Sequence, residues 1–449
     1  MKLAEEQLHA LDKMQEFMHN KEPVLCLEGY AGSGKTTVLN KYIKYLDSIN
    51  VHFVLCAPTH KAKLVMEEVT GYDAVTLHRL LSLAPNIEIF NLDYSDLKFL
   101  SSGTNEIPNK GIIIVDEASM ITDDIYNLLT DYAKKKGSKL LFVGDPAQLC
   151  GVGNGGTSMA FLCENKVTLS EIHRQKEDNG VLPVLQKLRH RPMYSFEEIE
   201  APEGSLILHE TPKDFMLNAA ALYKKAIKHQ NPNEIKLAAY TNTRVKGLND
   251  CIRRIVWEDY DEYHQFEFLT GYENFEYNKN QFYNSSDYVI TNIPVLTSKK
   301  IPYYVKLPGY ELELYDRVYK KLLNVFILSR TVNPDYIDGL ANLIEDVRLS
   351  ALEAKSRGNR TRASALWRKY FEIMKSFATP FDIMFDNRVI KKKTFDYGYA
   401  STVHKLQGTT LDTIFIDMNN LYSCRGREEL RQLQYVALSR TKSDVHMLI

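Results

Sequence analysis

Gly29-Tyr30-Ala31-Gly32-Ser33-Gly34-Lys35-Thr36 follows the apolar run Val24–Leu27 and opens a stretch of helical character, Thr37–Leu46. Strand, glycine-rich turn and helix start, in that order, are the context that G-x-x-x-x-G-K-[ST] requires. Gly29, Gly32 and Gly34 admit backbone conformations that a β-carbon obstructs, so successive N–H groups can wrap phosphates. The helix N-terminus adds its partial positive charge. Gly29, Ala31, Gly32, Ser33, Gly34, Lys35, Thr36 and Thr37 form the expected cradle. In it Lys35 reaches the β/γ-phosphates, and the Thr36 hydroxyl is a ligand for Mg²⁺. The competing reading is a glycine-rich turn with a surface lysine. The flanking strand and helix favour a nucleoside triphosphate.

The whole chain sets bounds on that reading. Its 449 residues suggest roughly three domains at ~150 residues each. With 44% hydrophobic and 25% charged residues, the composition is that of a soluble globular protein with sizeable cores. Lys and Arg number 56 against 57 Asp and Glu, a formal charge of −1. No global basic excess marks a polyanion partner, so a nucleic-acid site must be a local groove. Six scattered cysteines, without a C-x-x-C or a His/Cys cluster, argue for reduced thiols and against zinc or a disulfide frame. The charged N-terminal segment and the absence of any run near ~18 apolar residues point to the cytoplasm and away from a membrane.

Apolar runs alternate with helical stretches up to about position 240. Val24–Leu27, Val51–Cys56, Ile112–Val115, Leu140–Val143 and Leu237–Tyr240 are the expected strands, nearly all apolar as in a parallel sheet covered on both faces. Residues 84–110 interrupt this grammar with two short alternating runs around Asp93-Tyr-Ser-Asp96, an expected inserted β-hairpin. Residues 257–287 are rich in Tyr and Phe and carry eight acids against one Lys. Val289–Leu296, Tyr303–Leu307 and Glu311–Tyr315 read as strands of a small β-rich insert, and residues 335–377 as helical. From Arg348 to Lys369 there are seven Lys/Arg against one Glu, a solvated face or a phosphate contact. The α/β grammar returns at Tyr399, with strands at Ile414–Ile416 and Val445–Ile449.

Strand ends carry the remaining chemistry. Ile112–Val115 terminates in Asp116 and Glu117; beside a P-loop, Asp116 would hold the Mg²⁺ shell and Glu117 polarise the attacking water. Leu140–Val143 runs into Gly144-Asp-Pro-Ala-Gln148, where the Gln148 amide could sense the γ-phosphate. Arg174, in Leu169-Ser-Glu-Ile-His-Arg, and Arg440, in Tyr435-Val-Ala-Leu-Ser-Arg, offer guanidinium forks for charge on the γ-phosphoryl group. Spacing alone would not select these two arginines from surface ion-pair partners.

Taken in order, these segments, with Tyr240-Thr-Asn-Thr-Arg and Thr402-Val-His-Lys-Leu-Gln-Gly408, resemble the motif set of superfamily 1 DNA helicases. The RecD-like branch, and the Dda type within it, is the nearer likeness, supported by Gln7, Ala57-Pro-Thr-His-Lys-Ala62 and Thr76-Leu-His78. The motifs cover roughly residues 1–250 and 397–449. The resemblance implies two RecA-like lobes with parallel sheets. The first (1–83 and 111–166) binds ATP and carries a hairpin insert (84–110). The second (167–256 and 397–449) carries a β-rich and helical insert (257–396). It implies that Gln7 contacts adenine and that Arg174 and Arg440 are arginine fingers. Pro58, Thr59, His60, Thr76, His78, Asn242, Thr402 and His404 would line a single-strand track, and Phe99 would be the aromatic of a strand-separating pin. No binding residue carries over in 257–330, where the expected SH3-like pattern is weak. The implied activity is ATP-dependent 5′ to 3′ unwinding of forked duplex by a monomer, in the host cytoplasm if phage-encoded, alongside unspecified replication or recombination proteins. A protein-stripping translocase, or a P-loop ATPase or kinase of another class, are the alternatives.

Overall fold

The computed structural model describes residues 3–85, 99–101, 108–151, 156–171 and 179–449, with the side chains of 84–85 and 99–101 left aside. Val24–Gly29 is the heart of a six-stranded parallel sheet. The spatial order is Ala74–Thr76, Phe53–Ala57, Ile112–Val115, Lys139–Gly144, Val24–Gly29, Lys166–Leu169. Alternate side chains enter opposite cores, as the two-residue period of a strand dictates. Leu25, Leu27, Ile112 and Ile114 pack on the helices Glu5–His19 and Lys35–Ser48 through Met14, Phe17, Leu39 and Ile43. Cys26, Ile113, Val115 and Phe142 face the other way, onto Leu129 and Ala133 of the helix Asp123–Lys136. Each such Leu, Ile or Phe stabilises the layer by roughly 1.5–3 kcal/mol.

Lys166–Leu169 pairs with Val24–Gly29 and so crosses the domain boundary expected at residue 166. It is an edge strand with alternating burial, which lacks the continuous apolar run of its neighbours. Between Leu83–Pro85 and Phe99–Ser101 the backbone forms an antiparallel ladder that sets Pro85 opposite Phe99. These are the two arms at the base of the expected hairpin; residues 86–98 lie outside the described residues.

A second parallel sheet has the order Ala400–Thr402, Ile235–Ala239, Thr413–Asp417, Val445–Leu448, Leu206–His209. Together the two parallel sheets give the expected pair of RecA-like lobes. An antiparallel six-stranded sheet departs from the second lobe after the helix Asn242–Trp257. It contains Phe268–Gly271, Asp287–Ile290, Leu296–Lys300, Lys306–Asp316, Lys321–Leu328 and Phe395–Tyr397. Its strands differ from those expected. Asp287–Ile290 stops six residues short of Leu296, and Tyr303 stands in a turn at φ 61°. The long strand Lys306–Asp316 absorbs Glu311–Tyr315.

One continuous core joins this insert to the lobe, with Tyr223, Leu237 and Tyr399 against Phe268, Tyr288 and Phe395. Two buried ion pairs orient it: Arg253 on Glu267 at 2.8 Å and Lys236 on Asp287 at 3.0 Å. Removing one partner of such a pair would leave a buried charge, at a cost of ~3–5 kcal/mol. The helical segment is a hairpin, Pro334–Ser356 and Arg360–Lys375, broken at Gly358 (φ 73°). Part of its positive charge is neutralised internally, by Glu345 on Arg348 and Glu353 on Arg357, both at 2.6 Å. All six cysteines are free, and no helix among the described residues is long and apolar enough to cross a membrane.

Candidate active site and nucleic-acid track

The P-loop is shaped by its glycines. Gly34 caps the helix Lys35–Ser48 in the left-handed region at φ 82°, where a side chain would also strike the Gln7 amide. A β-carbon at Gly29 would approach Ser33 Oγ to 2.8 Å and the Leu169 carbonyl to 2.9 Å. Lys35 Nζ donates to the carbonyls of Gly29 (2.8 Å) and Tyr30 (2.9 Å). Burial lowers its pKa, against the pull of Asp145, Glu117 and Asp116. Gln7 spans the loop's outer side, accepting from Ala4 N–H (3.2 Å) and donating to the Ser33 carbonyl (3.1 Å).

Asp116 and Glu117 sit where Ile112–Val115 ends. Burial, and then the charge of Glu117, raise the Asp116 pKa to about 7. Glu117 adopts φ 51°, ψ 43°, a left-handed conformation that is uncommon for a residue with a β-carbon. Strain of this kind, ~1–3 kcal/mol, persists where surrounding structure enforces it and concentrates at functional sites. Gln148 is buried, and its Oε1 has no hydrogen-bond partner among the described residues; the same holds for Ser33 Oγ. Arg440 is buried on the second lobe, its guanidinium donating to Ser439 Oγ at 3.1 Å.

A cavity of about 720 Å³ collects these groups: Gln7, Ala31, Gly32, Gly34, Lys35, Thr36, Thr37, Asp116, Glu117, Gln148 and Arg440. Gly29 and Ser33 stand behind that lining and shape the loop. Arg174 lies outside the described residues. Amides at a helix N-terminus, one lysine and the donating Nε2 end of the Gln148 amide fit a triphosphate, while the unpartnered Gln148 Oε1 suits a donor such as water. A carboxylate and a hydroxyl, Asp116 and Thr36, are the hard oxygen donors that suit Mg²⁺.

The expected track residues follow strand ends, at the carboxyl edge where open α/β sheets bind ligands. Pro58 and Thr59 follow Phe53–Ala57, and Thr59 caps the helix His60–Thr70 by accepting from Ala62 N–H at 3.1 Å. Thr76 caps Leu77–Leu80, the short helix that holds His78, in the same way at 3.3 Å. Each hydroxyl still has its proton to donate. The His60 ring packs on Tyr283, in the connection that leads into the strand Asp287–Ile290, with 4.6 Å between centroids. Asn242 is exposed at the start of its helix, Thr402 is buried at a strand end, and His404 lies 3.9 Å from Glu429. Burial lowers the pKa of His60, His78 and His404, so all three rings are neutral at pH 7. Neutral imidazoles offer stacking and hydrogen bonds to nucleotides, without fixed charge.

Several side chains at the cleft lie inside the quoted motifs without being singled out by them. Lys61 lines the cavity with its pKa pulled down to about 8 by burial, facing Asp287 and Arg317 of the insert region. Tyr435 and Asp145, 290 residues apart, meet across the lobes at 2.7 Å. In sequence, Asp145 belongs to a Gly-Asp-Pro turn and Tyr435 only opens the segment that carries Arg440.

The fold and site define a two-lobed P-loop ATPase architecture with its nucleotide cleft between the lobes. Residues 2–201 match a family model described as an AAA domain, and residues 397–448 one described as a UvrD-like helicase C-terminal domain. The chain is 24% identical to an uncharacterized protein, R530, of Acanthamoeba polyphaga mimivirus, over 98% of both chains. To the ATP-dependent DNA helicase dda of Enterobacteria phage T4 it is 22% identical, over 99% of this chain and 98% of that one. A solved structure of Pif1 helicases at forked duplex DNA superposes with a TM-score of 0.52 at 16% identity, covering 99% and 92% of the two chains. Motif order, fold and relatives share one likeness, to superfamily 1 helicases of the RecD-like branch and the Dda type.

Proposed function

We propose that this chain is an ATP-hydrolysing DNA helicase that moves 5′ to 3′ on single strands and unwinds forked duplex. The observation that carries the reading is the shared cavity, which sets P-loop, paired acids and Gln148 from one lobe against Arg440 from the other. Such a cleft changes shape with the nucleotide it holds, and lobes that close and reopen can pass a strand along. Thr36 and Asp116 would hold Mg²⁺, which neutralises charge on the β- and γ-phosphates. Lys35 binds the β/γ-phosphates, and Gln7 orients the base. Glu117 takes the proton of the attacking water. Gln148, Arg174 and Arg440 sense and stabilise the γ-phosphoryl charge.

Single-stranded DNA would lie on Pro58, Thr59, His60, Thr76, His78, Asn242, Thr402 and His404, bound through sugar and phosphate without sequence readout. The hairpin at 84–110 would stand at the fork. On this reading it acts as a monomer on replication or recombination intermediates, and in host cytoplasm, in keeping with the viral source of two relatives matched over 98% or more of both chains. The test is unwinding of forked DNA with 5′ or 3′ tails, beside RNA-tailed controls and ATPase with and without single strands. Strand-stimulated hydrolysis and unwinding from the 5′ tail are expected. Unwinding only from the 3′ tail would overturn the polarity, and ATPase indifferent to DNA would overturn the helicase reading.

A further inference from the structure

The turn that carries Gln148 belongs to the first lobe by sequence and to the second by packing. Ala147 and Leu149, on either side of Gln148, are buried in the second lobe's core with Leu185, Leu206 and Leu433. Gln407, in the segment that carries Thr402 and His404, donates to the Leu149 carbonyl at 3.0 Å.

Asp145, which opens the turn, is 0% exposed. Its Oδ1 accepts Ala147 N–H at 3.0 Å, and its main-chain carbonyl accepts Gln148 N–H at 3.1 Å. Its Oδ2 accepts the hydroxyl proton of Tyr435 at 2.7 Å.

That hydroxyl is a complete junction. It donates to Asp145, and accepts from Arg189 Nη1 at 2.9 Å and from the P-loop amide of Ala31 at 3.2 Å. One proton and two lone pairs are all a phenol has, and all are used. Burial and the Asp145 carboxylate hold the Tyr435 phenol well above its ordinary pKa, so it stays a donor. Arg189 closes the network by lying 3.2 Å from the centroid of the Tyr30 ring in the P-loop. Tyr435 sits on the helix Arg427–Leu438, three residues before its end, and Arg440 follows two residues after that end.

We propose that the Tyr435 hydroxyl is a positioning group for hydrolysis, fixing the P-loop amide of Ala31 and the Gln148 turn to the helix that leads to Arg440. Tyr435 touches no reacting atom. While the lobes are together it ties phosphate-binding loop and γ-phosphate sensor to the arginine-finger helix, which is how a strand bound near Thr402 and His404 would reach the chemistry. The inference rests on the helicase reading.

Tyr435→Phe keeps the ring and removes the junction. With oligo(dT) as the probe, kcat for ATP should fall about tenfold while KM changes by less than about twofold, the signature of an interaction used beyond ground-state binding. The factor by which a non-hydrolysable ATP analogue alters oligo(dT) affinity should shrink toward one. Asp145→Asn should reproduce the kcat loss, and the double variant should be no worse than the more harmful single one, because both cut the same link. Melting temperatures separate this from misfolding, and if Tyr435→Phe is unstable, Asp145→Asn carries the same expectation. A Tyr435→Phe protein that keeps its stimulated kcat, or single losses that multiply in the double variant, would overturn the proposal. Wild-type ATPase indifferent to oligo(dT) would instead overturn the helicase reading, and the link would then be judged on the DNA-free kcat of the same variants.

Discussion

The backbone amide of Glu117 donates to the carboxylate of its neighbour Asp116 across 2.8 Å, which turns the two acids apart at the end of one strand. Asp116 is left half-buried beside Lys35 at the strand ends, while Glu117 is carried by its left-handed backbone to a separate place on the same cavity. On the proposed reading the two adjacent carboxylates take two tasks, cation binding and proton abstraction. Glu117→Gln should therefore retain nucleotide binding and lose most turnover, by the ~10²–10⁴-fold that general bases contribute. Near-normal DNA-stimulated ATPase in this variant would remove Glu117 from the chemical step.

Arg440→Lys keeps the charge and loses the planar fork. Turnover should drop toward the ~10³–10⁵-fold that arginine fingers supply, with ATP affinity largely retained. Arg174→Lys carries the same expectation. Steady-state ATPase paired with equilibrium nucleotide binding checks both, and a change confined to DNA affinity would contradict the role.

Phe99 stands on the returning arm of the first lobe's hairpin, opposite Pro85. Base–aromatic stacking is worth ~1–3 kcal/mol, comparable with the ~1.4 kcal/mol of one duplex stacking step. Phe99→Ala should leave strand-stimulated ATPase nearly intact and slow the opening of a forked duplex about tenfold or more. Unwinding at the parent rate would return the ring to a packing role.

His446 gives a pH dependence of fold stability. Its ring stacks on Phe415 with centroids 4.1 Å apart, and its Nδ1 lies 2.9 Å from His209 Nε2, a pair that shares one proton comfortably and two poorly. Burial, then His209, depress its pKa from 6.5 to about 4. The unfolded chain binds this proton more readily, so stability is fully present above about pH 6.5 and declines as pH falls toward 4. Thermal melting from pH 7 to pH 5 should show the loss, and His446→Phe should flatten it. An unchanged slope in the variant would exclude His446 as its source.

The first lobe was legible because its strands announce themselves twice, as apolar runs and by the chemistry at their ends. Val24–Gly29 into the P-loop and Ile112–Val115 into Asp116 and Glu117 are the clearest cases. Lys166–Leu169 carried neither signal, since an edge strand alternates polar and apolar residues. Leu206–His209 is short and acquires its meaning only beside Val445–Leu448, more than 230 residues later. In the insert, the tyrosines blur strand and turn: Tyr303 has strand propensity, yet the hairpin geometry places it in a turn. The Asp145–Tyr435–Arg189 junction was invisible for a different reason, because each of its residues has an ordinary local explanation and only the packing of two lobes brings them together.

The order of synthesis matters to a chain built this way. Every strand of the first sheet has been made by residue 169, whereas Leu206–His209 has no neighbour in its sheet until Val445–Leu448 emerges. At ~5–20 residues per second, roughly half a minute separates the two events on the ribosome. During that interval a nascent chain carries the P-loop strand and helix but neither Arg440 nor the Tyr435 hydroxyl that holds the Ala31 amide. Ala147 and Leu149 meanwhile have only the early part of their cluster, Val181 to Leu206, and gain the rest when the segment from Val403 to Met447 arrives.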